Sequence, residues 1–169
     1  MYFVVIKQFA RTLKQLDHVL AKAEAYAQAR KFDVNNFMTA RLAPDMLPFP
    51  AQVRIACDSA KAAAAYIAGK DAPKHEDDEK TIAELRARIG KCVAYLETFT
   101  EQDFAAIGPT TLVKLPNRPG KAIAAEEYLL ARQVPNVYFH VTCAYAILRH
   151  GGVDVGKTDY LGPLGFVDV

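Results

Sequence analysis

Four histidines are the side chains of this chain best suited to metal or acid–base chemistry: His18, His75, His140 and His150. A three-histidine metal site needs imidazoles that converge from facing helices, commonly with two of them at positions i and i+4. His140 has no such partner, because position 144 is alanine. His150 comes ten residues later and is rotated by about 280° around a helix, so it does not share the face of His140. The spacing therefore argues against a three-histidine site.

His140 is nevertheless the one histidine predicted to face inward, four residues before Ala144 in an amphipathic stretch. A buried imidazole of this kind is either a structural hydrogen-bonding group or a ligand contact or general base in a pocket between helices. Both interpretations stay open. The structural one expects a hydrogen bond to Gln52, to Tyr145 or to a backbone carbonyl. Four polar side chains complete the candidate pocket: Gln52, Tyr145, Asp45 and Asp58.

The other two histidines are predicted to lie at the surface. His18 is two residues past Leu16 of an apolar stripe, which rotates it by about 200° to the far face of its helix. His75 stands beside the acidic run 76–79 in a charged loop that contains proline. Consecutive acids in a loop do not converge on one ion, so this loop is interpreted as solvated.

Nucleophilic chemistry has little support in the sequence. The cysteines Cys57, Cys92 and Cys143 fall on inward stripes without a CxxC pair, which predicts buried, reduced thiols. Ser59 is the only serine and no G-x-S-x-G surrounds it, so serine hydrolase chemistry is excluded.

The segment Gly151–Thr158 matches the phosphate-loop pattern G-x-x-x-x-G-K-[ST]. That motif works only when a strand enters it and a long helix leaves it. The residues before Gly151 have helical spacing, and Gly162 and Pro163 follow soon after Thr158. We therefore expect no nucleotide here. Gly151 and Gly152 are predicted to end the last helix, and residues 157–161 to form an extended tail anchored by Tyr160 and Leu161.

Composition predicts one globular domain covering residues 1–169. The chain is 51% hydrophobic and has a formal net charge of +2, with basic residues spread along it, so a nucleic-acid partner is not expected. The N-terminal apolar run is interrupted at Lys7 and is too short for a leader or a membrane span. These features predict a cytoplasmic protein without a membrane partner.

The elements that position the candidate residues are four amphipathic helices. Their apolar stripes repeat at steps of three and four residues and run through Phe9–Ala27, Val53–Ile67, Leu85–Phe99 and Val137–Leu148. Gly69 is predicted to end the second helix, and Thr81 with Glu84 to form a capping box at the third. The last helix is predicted to begin near Pro135 or Asn136. Four such helices indicate an all-α four-helix bundle.

The connections add three expectations. Residues 31–50 are predicted to form a long crossover between the first two helices, with Asp33 as the cap of a short extra turn and Asp45 as the cap of the second helix. The alternation in Thr111–Leu115 predicts a small hairpin between the third and fourth helices. The segment 122–131 fits a strand of that hairpin or a short helix.

Three runs resemble a known family: "RLAPDMLPFPAQV", "DDEKTIAELRARI" and "PNVYFHVTCAYAILRHGGVDVGKTDYLG". They resemble an uncharacterised, domain-of-unknown-function branch of the DinB/YfiT-like superfamily, and the likeness extends from about Leu13 to Gly162. It implies a DinB-like bundle of four helices, often dimeric. Better-known members bind a divalent metal through three histidines and transfer low-molecular-weight thiols or isomerise thiol adducts. In those members a second histidine stands at the position of Ala144.

Two hypotheses of different class follow. In the first, the protein is a ligand-binding or structural bundle that lacks the three-histidine site and needs no cofactor. In the second, it is a metal- or thiol-dependent transferase in which His140 binds zinc, nickel or iron together with Gln52, Asp58 or Asp45. A homodimer is implied by the resemblance, and the small residues Ala62–Ala65 are compatible with close helix packing.

Overall fold

The computed structural model describes residues 1–116 and 118–167. Most of these residues are helical. The helices are α1 (Tyr2–Arg30), α2 (Phe49–Ile67), α3 (Ile82–Glu97), α4 (Ala125–Glu127), α5 (Val134–His150) and α6 (Lys157–Leu161). A π-helical turn, Tyr128–Gln133, joins α4 to α5.

The four long helices form the predicted bundle. α2 packs against α3 and α5, and α1 packs against the same two helices from the other side. Each helix buries the face that carries its apolar stripe, because only that face offers enough apolar area to exclude water. Residues without solvent exposure come from all four, including Phe9, Val53, Leu85 and Leu148. The all-α four-helix architecture predicted from the sequence is confirmed.

The long crossover between α1 and α2 contains a 3-10 helix, Val34–Thr39. Asp33 caps it as predicted, since its carboxylate accepts a hydrogen bond from the backbone N of Asn35 at 2.8 Å. The predicted cap of α2 is wrong. Asp45 lies exposed in a turn, and Pro48 occupies the N-cap position. The helix begins at Phe49–Pro50 because proline fits the first helical turn, where its missing N–H has no partner to lose.

Two predicted helix signals are confirmed. Thr81 and Glu84 form a capping box at the start of α3, with the Thr81 hydroxyl accepting from the Glu84 backbone N at 3.2 Å. After α2 the chain turns at Gly69, whose φ of +67° suits glycine. These local signals fix where α2 ends and α3 begins.

The predicted hairpin is present as strands β1 (Leu112–Lys114) and β2 (Ala122–Ala124), which pair antiparallel. The segment 122–131 is therefore strand for three residues and helix afterwards. The predicted start of the last helix near Pro135 is confirmed, since α5 begins at Val134 and Pro135 lies in its first turn. The short helix α4 and the π-helical turn precede it.

The C-terminal segment folds back over the bundle and packs against α1. Residues 157–161 form the short helix α6 rather than the predicted extended tail. Asp159 explains the difference, because its carboxylate accepts from the backbone N of Gly156 at 2.8 Å and so stabilises the helical turn. Of the two predicted anchors, Tyr160 packs against Tyr145, whereas Leu161 is 44% exposed.

No helix of the described residues has the length and apolar character of a membrane span. Within the described ranges, every helix is too short or too polar to cross a bilayer.

Candidate functional site

His140 on α5 and Gln52 on α2 form a buried hydrogen-bonded pair. The Nδ1 atom of His140 lies 2.7 Å from Oε1 of Gln52. The amide nitrogen of Gln52 donates to the backbone oxygen of Leu47 at 2.9 Å. Because the amide nitrogen is used in this way, Oε1 is the acceptor and His140 Nδ1 is the donor. In the neutral ring the lone pair then resides on Nε2.

The environment of His140 favours the neutral imidazole. The residue is 9% exposed, and burial lowers the pKa of its side chain below the usual 6.5. A neutral ring with a protonated Nδ1 presents Nε2 as a hydrogen-bond acceptor, a general base or a single metal ligand. The geometry is compatible with any of these three roles.

An apolar side chain, that of Phe139, adjoins this pair. The ring of Phe139 meets the His140 ring edge to face, with 5.1 Å between ring centroids, and Phe139 is 56% exposed. Leu47, whose carbonyl receives the Gln52 amide, is 50% exposed. A polar atom with apolar neighbours is the usual composition of a small-molecule contact surface.

The described residues do not fit a three-histidine metal site. Ala144, one turn after His140, is fully buried and supplies only a methyl group to the core. No cluster of three or more His, Cys, Asp or Glu side chains suited to an ion occurs within residues 1–116 and 118–167. Among the described residues, His140 therefore belongs to no group of this kind.

Asp58 is held by partners other than His140. Its carboxylate lies 2.8 Å from Nη2 of Arg88 on α3 and 2.9 Å from Nζ of Lys61. The reason is helical geometry: Asp58 follows Gln52 by six residues, a rotation of about 240°, so the two side chains leave α2 in different directions. The structure therefore brings Gln52, but not Asp58, to His140.

Tyr145 and Asp45 are likewise used or placed elsewhere. The Tyr145 hydroxyl donates to the backbone oxygen of Val155 at 3.3 Å, and its ring packs edge to face on Tyr160 at 5.8 Å. Tyr145 thereby fastens the C-terminal segment. Asp45 lies exposed in the turn that precedes α2.

The phosphate-loop pattern Gly151–Thr158 lies between two helices rather than between a strand and a helix. The helix α5 ends at His150, and Gly152 adopts a φ of +92°. Lys157 and Thr158 are exposed in the first turn of α6. These residues form a helix end and a short return helix.

Sequence reasoning missed a polar contact next to the His140 pair. The side-chain amide of Asn136 donates to the hydroxyl of Ser59 at 2.6 Å. Asn136 precedes His140 by four residues and Ser59 follows Gln52 by seven, which is the register of two antiparallel helices with facing sides. The spacing of these polar residues along α2 and α5 could therefore have indicated the contact between Asn136 and Ser59.

A second missed feature is the buried cation beneath the loop after α2. Arg88 is only 3% exposed, and it donates to Glu79 Oε1 at 2.8 Å and to the Glu76 backbone oxygen at 2.9 Å. The loop is therefore fastened to α3 rather than fully solvated as predicted. His75 is half-buried there, and burial, with the positive charges of Lys61 and Arg88 as lesser causes, lowers its pKa.

The cysteines lie in the core. Cys57 and Cys92 are fully buried, with the Cys92 thiol 3.3 Å from the Cys57 backbone oxygen. The neighbouring Cys92 thiol and burial raise the pKa of Cys57, and burial raises that of Cys143. Thiols in this state are poor nucleophiles at neutral pH.

Comparison with known proteins places this chain in a family. Residues 1–161 match the family described as "Domain of unknown function (DUF1993)". The chain belongs to the DUF1993 family. Among curated proteins, none matches this DUF1993 chain.

A solved structure shares the fold of this DUF1993 protein. It is the crystal structure of a DinB family member protein from Shewanella denitrificans, with 44% sequence identity and a TM-score of 0.92. The match covers 99% of this chain and 95% of the other. The DUF1993 protein is therefore a DinB-like helical bundle.

Proposed function

We propose that this DUF1993 protein is a ligand-binding bundle whose polar centre is His140 and which works without the three-histidine metal site of better-known DinB-like proteins. The observation that carries the proposal is the hydrogen bond between His140 Nδ1 and Gln52 Oε1 at 2.7 Å. It orients the ring and leaves Nε2 to accept a hydrogen bond from a ligand. The ligand class is a small apolar molecule with one hydroxyl or amide donor.

The surroundings of His140 support a neutral ligand over an ionic one. Burial lowers the pKa of His140, so the ring carries no charge near neutral pH to attract an anion. Phe139, whose ring meets the His140 ring, is apolar and 56% exposed. A hydroxyl group donating to Nε2, with a hydrocarbon part against Phe139, satisfies both features.

A matched pair of probes tests this proposal. Phenol carries a hydroxyl and toluene does not, while their rings are alike. We expect phenol to shift the NMR resonance of the His140 ring at lower concentrations than toluene does. His140→Ala should remove the preference for phenol, whereas His150→Ala, at an exposed helix end, should keep it. Equal binding of the two probes contradicts the proposed role of Nε2.

The second candidate function is a metal- or thiol-dependent transferase in which His140 binds zinc, nickel or iron through non-standard ligands. The free lone pair on Nε2 favours it. The engagement of Asp58 by Arg88 and Lys61 counts against it, because a firm site needs several ligands at bonding distance. This candidate predicts that zinc raises the melting temperature of the wild type but not of His140→Ala.

We also propose that the protein acts in the cytoplasm as a homodimer. The cysteines Cys57, Cys92 and Cys143 are all unpaired, which suits a reducing compartment. Exposed apolar side chains such as Phe139 and Leu42 are compatible with a contact between copies. Light scattering tests the dimer: a mass equal to that of one chain at micromolar concentration contradicts it.

A further inference from the structure

The loop of residues 70–80, between α2 and α3, is held to both helices through its backbone. Lys61 of α2 donates to the backbone oxygen of Pro73 at 2.8 Å, and Arg88 of α3 donates to that of Glu76 at 2.9 Å. Both cations are only 3% exposed. The loop is therefore fixed at two positions by groups that water hardly reaches.

His75 lies between these two fixed positions. Its side chain is half-buried, and its Nδ1 atom is buried without a hydrogen-bond partner among the described residues. The neutral ring can place an uncharged lone pair at Nδ1 and its proton on Nε2. The protonated ring carries a proton on both nitrogens, so it would place a charged donor at a buried position that has no acceptor. The closed loop therefore disfavours protonation of His75.

The charges around His75 act in the same direction. The cations that act on its ring are Lys61 on α2 and Arg88 and Lys91 on α3, against one carboxylate, that of Asp58 on α2. Burial is the larger cause, and the excess of positive charge adds to it, so the pKa of His75 lies below the usual 6.5. A solvated loop has neither effect and binds the proton more firmly.

The acids that line the same cavity as His75 are already engaged or solvated. The Glu76 carboxylate pairs with Lys74 of the loop at 2.9 Å. Glu79 accepts from Arg54 and Arg88, and Glu84 accepts from the backbone N atoms of Lys80 and Thr81. Asp78 is exposed, so water screens its charge. These carboxylates therefore do not offset the cations of α2 and α3 at the ring.

We propose that residues 70–80 form a latch that protonation of His75 releases from α2 and α3. Below pH 6.5 the open latch binds a proton that the closed latch disfavours, so acid shifts the equilibrium toward the open form. At higher pH the ring is neutral and the latch stays closed. Release uncovers the ammonium of Lys61 and the guanidinium of Arg88. The inference is independent of the function proposed for His140, which belongs to the α2–α5 interface.

Glutamyl endopeptidase measures the opening of the latch, because Glu76 and Glu79 lie within it. The initial rate of cleavage at these sites in the full chain is divided, at each pH from 5 to 8, by that of a free peptide with the sequence of residues 70–82. This ratio removes the pH dependence of the protease itself. We expect the ratio to rise as the pH falls through 6.5. A ratio that does not change with pH overturns the proposal.

Histidine variants assign the effect to His75. His75→Gln removes the titratable group and keeps a polar side chain, so its cleavage ratio should stay at the wild-type value of pH 8 throughout. His150→Gln, at an exposed helix end outside the latch, should retain the rise of the wild type. Circular dichroism checks that both variants remain helical. An equal rise in the wild type and in His75→Gln overturns the proposal.

The positions of the first cuts distinguish release of the latch from unfolding of the whole protein. Release predicts that the first products are cut at Glu76 and Glu79 only, while Glu24 of α1 and Glu97 of α3 stay intact. Mass spectrometry of the fragments identifies these positions. First products cut at all four sites at the same pH overturn the proposal.

Discussion

The Nδ1 atom of His140 lies 2.7 Å from Oε1 of Gln52, and the amide of Gln52 continues the chain of hydrogen bonds to the backbone oxygen of Leu47. Three parts of the molecule are joined in this way: α5, α2 and the crossover before α2. Both polar atoms of the Gln52 side chain are engaged, the oxygen by His140 and the nitrogen by the Leu47 carbonyl. The His140 ring is therefore held in one orientation.

Replacement of Gln52 should destabilise the protein. Gln52→Ala leaves His140 Nδ1 without its acceptor in a buried position, so we expect a loss of about 1–3 kcal/mol in the free energy of unfolding. Gln8→Ala, at an exposed position of α1, is the matched control and should cost little. Urea unfolding measures both. Equal stability of the two variants contradicts the structural role of the pair.

The stability of the protein should depend on pH near 6. His140 and His75 both have pKa values below the usual 6.5 in the fold, for His140 because of burial. Below pH 6.5 the unfolded chain therefore binds more protons at these sites than the folded protein does. The neutral histidines therefore contribute fully to the free energy of unfolding above pH 6.5. This contribution decreases as the pH falls through 6.5 toward the pKa values of the two histidines in the folded protein.

Urea unfolding between pH 5 and pH 8 measures this dependence. His140→Gln keeps a hydrogen-bonding side chain without a titratable group and should flatten the stability profile over this range. Gln8→Ala, at an exposed site without a titratable group, serves as the control and should retain the slope of the wild type. A slope unaffected by His140→Gln would show that another group governs the profile.

Removal of Arg88 should cost far more than removal of Arg86, although both are on α3 and form ion pairs with carboxylates. Arg88→Met breaks a network around a buried guanidinium, and we expect a loss of about 3 kcal/mol. Arg86, with 33% of its side chain exposed, pairs with Asp17 and Glu24 at the surface, so Arg86→Met should cost about 1 kcal/mol or less. Chemical denaturation of both variants tests this contrast.

Asp159 should anchor α6 locally. Hydrogen bonding to the Gly156 backbone, with Lys22 and His18 as further partners, lowers the pKa of Asp159 to about 2. Its stabilising contribution is thus present above pH 4 and is lost as the pH falls through 2. Asp159→Asn should accelerate proteolytic cleavage between residues 153 and 163. Asp154→Asn, at a fully exposed site, should not.

The sequence predicts the bundle well because the positions of its helices depend on local patterns. Apolar stripes and the Thr81 cap act within a few residues, and the structure follows them. Pro135 marks the start of α5 as predicted, because proline fits the first turn of a helix, but no local pattern indicated the π-helical turn directly before it. The prediction of an extended tail was wrong because it did not take Asp159 into account. The carboxylate of Asp159 accepts a hydrogen bond from the Gly156 backbone N and so stabilises α6.

The candidate site is less predictable, because it depends on which sides of two helices face each other. The inward position of His140 indicated Gln52 as one of several partners, and the structure joins these two. Asp58 is close to Gln52 in sequence but turns toward Arg88, a residue whose burial no local pattern revealed. Only the register of α2 against α5, which also pairs Ser59 with Asn136, shows that Gln52 and not Asp58 is the partner of His140.

We propose that His140 acts in this fold as a single imidazole fixed by Gln52, without a three-histidine metal site. The metal content of the purified protein tests this proposal most directly. The wild type and His140→Ala are incubated with zinc, nickel or ferrous iron and then desalted. Elemental mass spectrometry gives the number of ions bound per chain. We predict far less than one ion per chain, with no difference between the two proteins. One ion per chain in the wild type that is lost in His140→Ala would contradict the claim.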